Sequence, residues 1–427
     1  MPGLKHRPLE VRGAGVRSLR DMVGGLPRTF WFLWTGLLIN RMGGFVYPFL
    51  VLYLTGRGLS VGQAGRIVAL FGAGSFAAAL VGGRLADLVG RRRTLLVALF
   101  GGGTAMLALG MSQRPGTIAF WTFTLALLQD MYRPAVNAIV ADVVPPADRA
   151  RAFNLQYWAI NLGFSIAAVL AGTMASRSFL WLFAGDAATT FACGLLVWWK
   201  VPETHPQREA ERAATATNEL ADLTAPFRDG VFAAFVLTMF LTYLLFFQSH
   251  VGLPVDMQAH GFSASVYGVV IAVNGVLIVL FQPFAPRLIA GRPRSVVMAA
   301  ATVLIGLGFG VFGVLTSLWG YAAGVVIFTV GEILQAGIGP SIVSDLAPVR
   351  LRGTYQGAFH MAFGLASLVG PWGGGVIMDA QGAKALWGAC LAVGAVSAAV
   401  HLLIAGSRRR RLVELRAAAL PVSAAED

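Results

Sequence analysis

The chain has 427 residues, a net charge of +13 and a mean hydropathy of +0.70, with only 12% of its residues charged. A soluble domain of this size carries about a quarter charged residues, so a large soluble protein is excluded. The two cysteines, Cys193 and Cys390, both lie inside apolar runs, which leaves no disulfide framework and no thiolate metal site.

About 20 apolar residues cross the hydrocarbon of a bilayer as a helix, and such runs recur along almost the whole chain. Residues 1–28 are basic and lack the apolar core and cleavage site of a secretory signal. They read as a cytoplasmic N-terminal segment. Six helices are expected over 29–55, 63–83, 94–111, 117–141, 153–175 and 179–200. Residues 201–229, VPETHPQREAERAATATNELADLTAPFRD, are polar and read as a cytoplasmic linker. Six more helices follow over 230–254, 264–290, 295–317, 319–343, 353–378 and 384–405, and 406–427 form a cytoplasmic tail. The expected fold is an all-α polytopic membrane protein, with twelve transmembrane helices in two six-helix halves over 29–200 and 230–405.

Lysine and arginine accumulate in cytoplasmic loops. With the N-terminus inside, 26 of the 33 basic residues fall on cytoplasmic segments and five on outer loops (Arg57, Arg66, Arg114, Arg177 and Lys384). Both termini are therefore expected in the cytoplasm. The positive charge has anionic lipid as its partner, and nucleic acid is not expected. Thirty arginines against three lysines point to a GC-rich bacterial genome and hence a multi-pass protein of the bacterial cytoplasmic (inner) membrane.

The chain repeats itself. VGGRLADLVGRRRTLL (81–96) matches QPFAPRLIAGRPRSVV (282–297) at an offset of 201, which sets Gly90 on Gly291, Arg91 on Arg292 and Arg93 on Arg294. Asp87 falls on Leu288, so the second copy lacks the acid. ADVVPPADRARAF (141–153) matches SDLAPVRLRGTYQ (344–356) at an offset of 203, with Asp142 on Asp345. Parallel repeats of this kind place a substrate site at their interface near the membrane midplane.

The stretch Gly83-Arg84-Leu85-Ala86-Asp87-Leu88-Val89-Gly90-Arg91-Arg92 resembles the loop 2–3 signature, G-x-L-A-D-x-x-G-R-R, of the major facilitator superfamily. The resemblance covers residues 29–405. It implies a cytoplasmic gate in which Asp87 faces the helix start near Gly353 and Arg91 pairs with Asp142. Helix dipoles favour a carboxylate at such a start by about 0.3–1 kcal/mol. Gly370-Pro371-Trp372-Gly373-Gly374-Gly375 matches a GPxxGG pattern that drug–proton antiporters of the family carry in span 5. Here the pattern is in span 11, and span 5 has Ala167 and Ala168 where Gly-Pro would fall. The span 4 arginine often found in that branch is replaced by Thr122.

Ionisable residues inside spans are costly and mark function by default. Four stand out as proton-coupling candidates: Arg41 in span 1, Asp130 and Arg133 in span 4, and Glu332 in span 10. Asp130 and Arg133 share a helix face. Asp130 and Glu332 are 202 residues apart, so each half offers a carboxylate at similar depth. Burial raises the pKa of a carboxylate and a nearby guanidinium lowers it again, so moving the arginine nearer or farther would release or bind a proton on the acid. Asp130 could do this with Arg133 or Arg41, and Glu332 alone, with a fixed structural ion pair the alternative for Asp130 and Arg133. Asn40, Tyr47, Tyr132, Asn137, Tyr157, Trp158, Gln248, Asn274 and Gln335 are candidate cavity residues.

Phosphate loops, nucleophile elbows and metal-spaced ligands are lacking, so an enzyme is not expected. The resemblance implies a secondary active transporter working by alternating access. The preferred form is proton-coupled export of amphipathic compounds. A proton symporter or uniporter for a nutrient is the alternative, and a non-transporting receptor is disfavoured by the intact gate motif. No cofactor or metal is expected; the proton gradient supplies the energy to what is expected to be a monomer.

Overall fold

The computed structural model describes residues 24–145, 148–175, 177–203, 224–348 and 351–418, and every regular element among them is helical. The basic segment before residue 24 and residues 204–223 of the expected linker lie outside the described residues. Ten helical stretches among those described are long and apolar enough to cross a membrane. The helices are α1 (Arg28–Met42), α2 (Val46–Thr55), α3 (Val61–Val89), α4 (Arg91–Met111), α5 (Pro115–Val143), α6 (Arg149–Ala175) and α7 (Phe179–Lys200). After the linker come α8 (Gly230–Gln248), α9 (Gly252–Ala259), α10 (Ala264–Phe281), α11 (Arg294–Phe312), α12 (Leu318–Leu346), α13 (Arg352–Gln381), α14 (Ala383–Leu403) and α15 (Ala405–Ala418).

Local chemistry sets the ends. Ser60 and Gln63 form a reciprocal capping box at the start of α3, and Ser263 caps α10 in the same way with its hydroxyl. Asp229 caps α8 by accepting from the N–H groups of Val231 and Phe232, both at 3.1 Å. Gly90, at φ +109°, is the whole connection between α3 and α4. The expected charged turn at 84–93 is thus almost entirely helical, because one glycine in the left-handed region reverses the chain without a longer loop.

Three expected spans are interrupted, the one over 264–290 by a 3₁₀ turn at Gln282–Phe284. The first breaks between α1 and α2 at Gly43-Gly44, where the N–H groups of Gly43 and Gly44 turn back to the carbonyls of Asn40 and Arg41. Adjacent glycines are poor helix formers, and here one is obligatory: a Cβ on Gly43 would stand 1.6 Å from Thr189 Oγ1. The remaining break falls at Ser249–Val251, between α8 and α9.

The repeat has one register. Helices α3 to α6 begin at residues 61, 91, 115 and 149; α10 to α13 begin at 264, 294, 318 and 352, each 203 residues later. The 201 register expected for residues 81–96 is therefore corrected. The structural counterpart of Arg91 is Arg294, not Arg292. The reason is local: α3 runs unbroken to Val89, whereas its copy ends at Phe281 and continues as a 3₁₀ turn and a short helix over Ala285–Ile289. The ion pairs agree, for Arg91 bonds Asp142 and Arg294 bonds Asp345.

The two sets of helices meet along α3 with α13 and along α6 with α10. In lipid the hydrophobic effect does not drive helices together, so close contact depends on small residues. A Cβ on Gly65 would stand 2.4 Å from the Pro371 carbonyl oxygen, and one on Gly268 would stand 2.3 Å from that of Ala168. The GPxxGG stretch belongs to this seam. Gly375 lies against Val61 and Gly62, while Gly374 leaves room for Gln248 Oε1, which a Cβ would approach to 1.9 Å.

Among the described residues the tail helix α15 packs on helices α8, α12 and α14 of the second set. Arg408 bonds Ser295 Oγ at the start of α11, and Arg411 Nε lies 3.4 Å from Asp229. Burial, and then the neighbouring Arg294, pull the Arg408 guanidinium down to about 10.

Candidate functional site

At mid-depth the chain places polar side chains from both sets around one space. Asp130 and Arg133, one turn apart on α5, form an ion pair at 3.0 Å. The Asp130 side chain is 17% exposed and that of Arg133 56%. An arginine so accessible halfway along a spanning helix needs a wet surface, and Arg133 lies within electrostatic reach of the exposed His360 on α13. Arg133 and His360, from opposite halves, thus present accessible side chains within electrostatic reach of one another. Asn137, a turn further along α5, is also exposed.

Arg41 closes α1, where the helix dipole favours a cation. Its Nη2 bonds the Tyr132 hydroxyl, and its guanidinium carbon lies 5.0 Å from the Tyr132 ring centre. Tyr132 thereby ties α1 to α5, while Asp130 is taken by Arg133. Asn40 is buried and donates to Thr190 Oγ1 on α7 at 3.1 Å.

Across the space, Glu332 on α12 accepts from Asn274 Nδ2 at 2.7 Å, and the same amide reaches Thr329 Oγ1 at 3.0 Å. Glu332 has no ion-pair partner among the described residues. Its charge acts on Tyr243 of its own half and on Tyr157 of the other. Glu332 and Tyr157, from opposite halves, lie within electrostatic reach of one another. With the 203 register, Glu332 corresponds to Gln129 rather than Asp130. The two acids share a depth to within one residue, but point about 100° apart around their helices.

The remaining candidates divide by location. Tyr47 has Phe71 at 4.5 Å and His250 at 5.4 Å between ring centres. Tyr157 and Trp158 are 40% and 38% exposed, and Trp158 stacks on Trp34 of α1. Gln335 is buried with its Oε1 unpartnered among the described residues. Gln248 is held between α8 and α13 of the second set, donating to the carbonyls of Leu244 at 3.1 Å and Gly370 at 2.9 Å.

Of the gate motif, Gly83 and the side chain of Asp87 lie outside the description. Gly90 makes the turn, and Arg91 bonds both Asp142 and the Ala138 carbonyl. Glu203, passed over in the sequence, takes the N–H groups of Arg92 and Arg93 at 2.9 and 3.2 Å and so caps α4.

Two further acids were missed. Asp379 accepts from Ser60 Oγ, Val61 N and Gly62 N, fastening the halves at the opposite end from Arg91. Asp186 is buried on α7 and accepts from the N–H groups of Phe45 and Val46. A lone acid in an apolar run was the available signal for both.

A family model described as Major Facilitator Superfamily matches residues 33–371 and, in a second overlapping match, residues 251–425. The uncharacterized MFS-type transporter YttB of Bacillus subtilis (strain 168) is 28% identical over 393 residues, covering 88% of this chain and 95% of the relative. A Na(+), Li(+), K(+)/H(+) antiporter of Planococcus maritimus is 27% identical over 366 residues, covering 78% and 85%. The multidrug resistance protein MdtH of Escherichia coli (strain SE11) is 22% identical over 312 residues, covering 70% and 73%. Among solved structures, the peptide transporter POT in complex with sulfate shares the fold with a TM-score of 0.76 at 16% identity, covering 92% of this chain and 97% of that one.

Proposed function

The chain belongs to the major facilitator superfamily, a family of transporters rather than enzymes, and from that premise we propose that it couples proton movement to export of a small amphipathic solute by alternating access. Twelve spans, with both termini in the cytoplasm of a bacterial inner membrane, and a monomer form the frame of this reading. The observation that carries it is the unequal setting of the two midplane acids. Asp130 is matched by Arg133 on its own helix, whereas Glu332 is held by neutral Asn274 and faces the other half through Tyr157. An acid without a fixed cation can gain and lose a proton as the space around it is remade. The aromatic rings of Tyr47, Tyr157 and Tyr243 beside a few charges suit a solute with an apolar body and a polar end.

A second reading is exchange of an alkali cation for protons. It is supported by the similarity to the Planococcus maritimus antiporter. Nutrient uptake with protons remains the alternative direction. Purified protein in liposomes carrying a pH-sensitive dye tests these readings together. Addition of amphipathic cations is expected to move protons in the opposite sense. A response to sodium or potassium alone would select the second reading, and proton movement in the same sense as the solute would select uptake. Protons unmoved by any of these compounds would sink proton coupling.

A further inference from the structure

Asp186 sits at the joint of the broken first span. Its Oδ2 accepts the N–H groups of Phe45 at 3.0 Å and Val46 at 3.2 Å, where the helix restarts as α2. Its Oδ1 is buried and has no hydrogen-bond partner among the described residues, and the whole residue is 1% exposed. The joint is clamped to α7 on both sides: Asn40 bonds Thr190 before the break, and Gly43 lies against Thr189 within it.

Few charged or titratable groups face this acid. Arg41 of α1 lies within electrostatic reach, but its Nη2 is committed to Tyr132 and its Nε has no partner. Cys193, two turns along α7, is a buried free thiol. On α2, Tyr47 turns toward Phe71 and His250, and Tyr53 toward Phe179 and Phe183. Helix α4, packed against α7, brings no ionisable side chain beyond Arg91, Arg92 and Arg93 at its start. Tyr157, on α6, lies within electrostatic reach of Glu332.

A carboxylate with one oxygen on backbone N–H groups and the other bare in an apolar setting is costly to keep ionised. A proton on the bare oxygen removes that cost. The other oxygen still accepts from Phe45 and Val46, more weakly, because a neutral acceptor forms the weaker bond. We propose that Asp186 is a proton-binding site whose occupancy controls the joint between α1 and α2. An O–H bond forms on Oδ1 with a proton drawn from water, and no other covalent bond changes. A small void of about 10 Å³ nearby, lined among others by Asn40, Gln129, Tyr132 and Thr190, has the size of one water. Thr190 is one turn from Asp186.

The role in transport rests on the function proposed above, but protonation itself is an equilibrium property and is tested without transport. Purified protein in lipid vesicles is treated with a hydrophobic carbodiimide, which adds to protonated carboxyl groups, over a series of pH values, and the labelled residue is found by mass spectrometry. Labelling of Asp186 at acid pH, falling at least fivefold toward alkaline pH, is the expected result. In parallel, the pH-difference infrared spectrum is expected to lose a carboxylic-acid C=O component in Asp186→Asn, which keeps an acceptor for Phe45 and Val46. Label that is lacking or constant with pH, together with an infrared spectrum unchanged by Asp186→Asn, overturns the proposal. So does labelling blocked by sodium or potassium at fixed pH with no acid C=O component, which assigns the oxygen to a metal cation. Should no solute move protons while Asp186 labels as expected, transport coupling fails and this site stands.

Discussion

Asp379 accepts the backbone N–H of Gly62 at 2.7 Å, so an acid of the second half caps a helix of the first. The same carboxylate takes the Ser60 hydroxyl at 2.7 Å and the Val61 N–H at 3.1 Å. Hydrogen bonds to a charged group contribute about 1.5–3 kcal/mol each when sheltered; this acid is exposed, so the set contributes less. Asp379→Ala is expected to shift the balance of open and closed forms at this end about tenfold, roughly 1.4 kcal/mol. Spin labels on Gln63 and Ala380 would read it as a new population at longer distance. An unaltered distance distribution would refute the seal.

The seam glycines differ in what they tolerate. A Cβ at Gly374 meets Gln248 Oε1 at 1.9 Å, whereas one at Gly373 meets nothing within 4 Å. Gly374→Ala is expected to destabilise by about 1–3 kcal/mol, as overpacking does, and Gly373→Ala to fall within about 0.5 kcal/mol of the parent protein. Adding Gln248→Ala to Gly374→Ala removes the obstruction, so thermal unfolding in detergent should recover toward that of Gln248→Ala. If the double variant is no more stable than Gly374→Ala, the contact is not the cause.

Glu332→Gln keeps an oxygen for Asn274 Nδ2. The variant is expected to unfold within about 1 kcal/mol of the parent, the size of one neutral hydrogen bond. Solute accumulation driven by a pH gradient is expected to fall at least tenfold, about 1.4 kcal/mol or more, while downhill exchange continues. Gradient-driven accumulation at the parental level would remove Glu332 from coupling. Asp130→Asn breaks an ion pair whose arginine is 56% exposed, so its stability cost is expected at about 0–1 kcal/mol. The informative readout there is transport.

The 203-residue register separates three arginines. Arg91 is largely buried against Asp142, while Arg294 is half exposed against Asp345 and Arg292 has no ion pair among the described residues. Removing one partner of a buried pair costs about 3–5 kcal/mol, and of an exposed pair about 0–1. Thermal unfolding of the Gln variants is expected to rank Arg91→Gln as most damaging, Arg294→Gln as mild and Arg292→Gln as neutral. Equal effects at 292 and 294 would return the repeat to the shorter offset.

Hydropathy located the helices because burial in lipid demands long apolar runs, and the gate motif carried the Arg91–Asp142 pair because the two partners lie at helix ends, Arg91 at the start of α4 and Asp142 at the end of α5. The register was harder. Gly90 and Gly291 recur with flanking arginines, yet α3 runs straight into Gly90 while its copy bends after Phe281, and composition does not record a bend. Span 1 was expected as one helix although Gly43-Gly44, where it breaks, are poor helix formers; the break at Ser249–Val251 has no such mark. Asp186 met the same criterion that singled out Asp130 and Glu332. It was passed over because its partners are backbone N–H groups, to which no side-chain spacing points. The packing of Gln248 depends on Gly370 and Gly374, more than 120 residues away.

The ionisable groups around the joint and the central space have a net sign. Arg41 and Arg133 stand against Asp130, Asp186 and Glu332, which leaves one negative charge in excess when all are ionised. One proton cancels it, and one monovalent cation cancels it equally. Both together leave the interior positive, a state this apolar surrounding penalises. On the coupling proposed above, proton and cation are rivals for a single vacancy of charge, and rivals that take turns would travel in opposite directions.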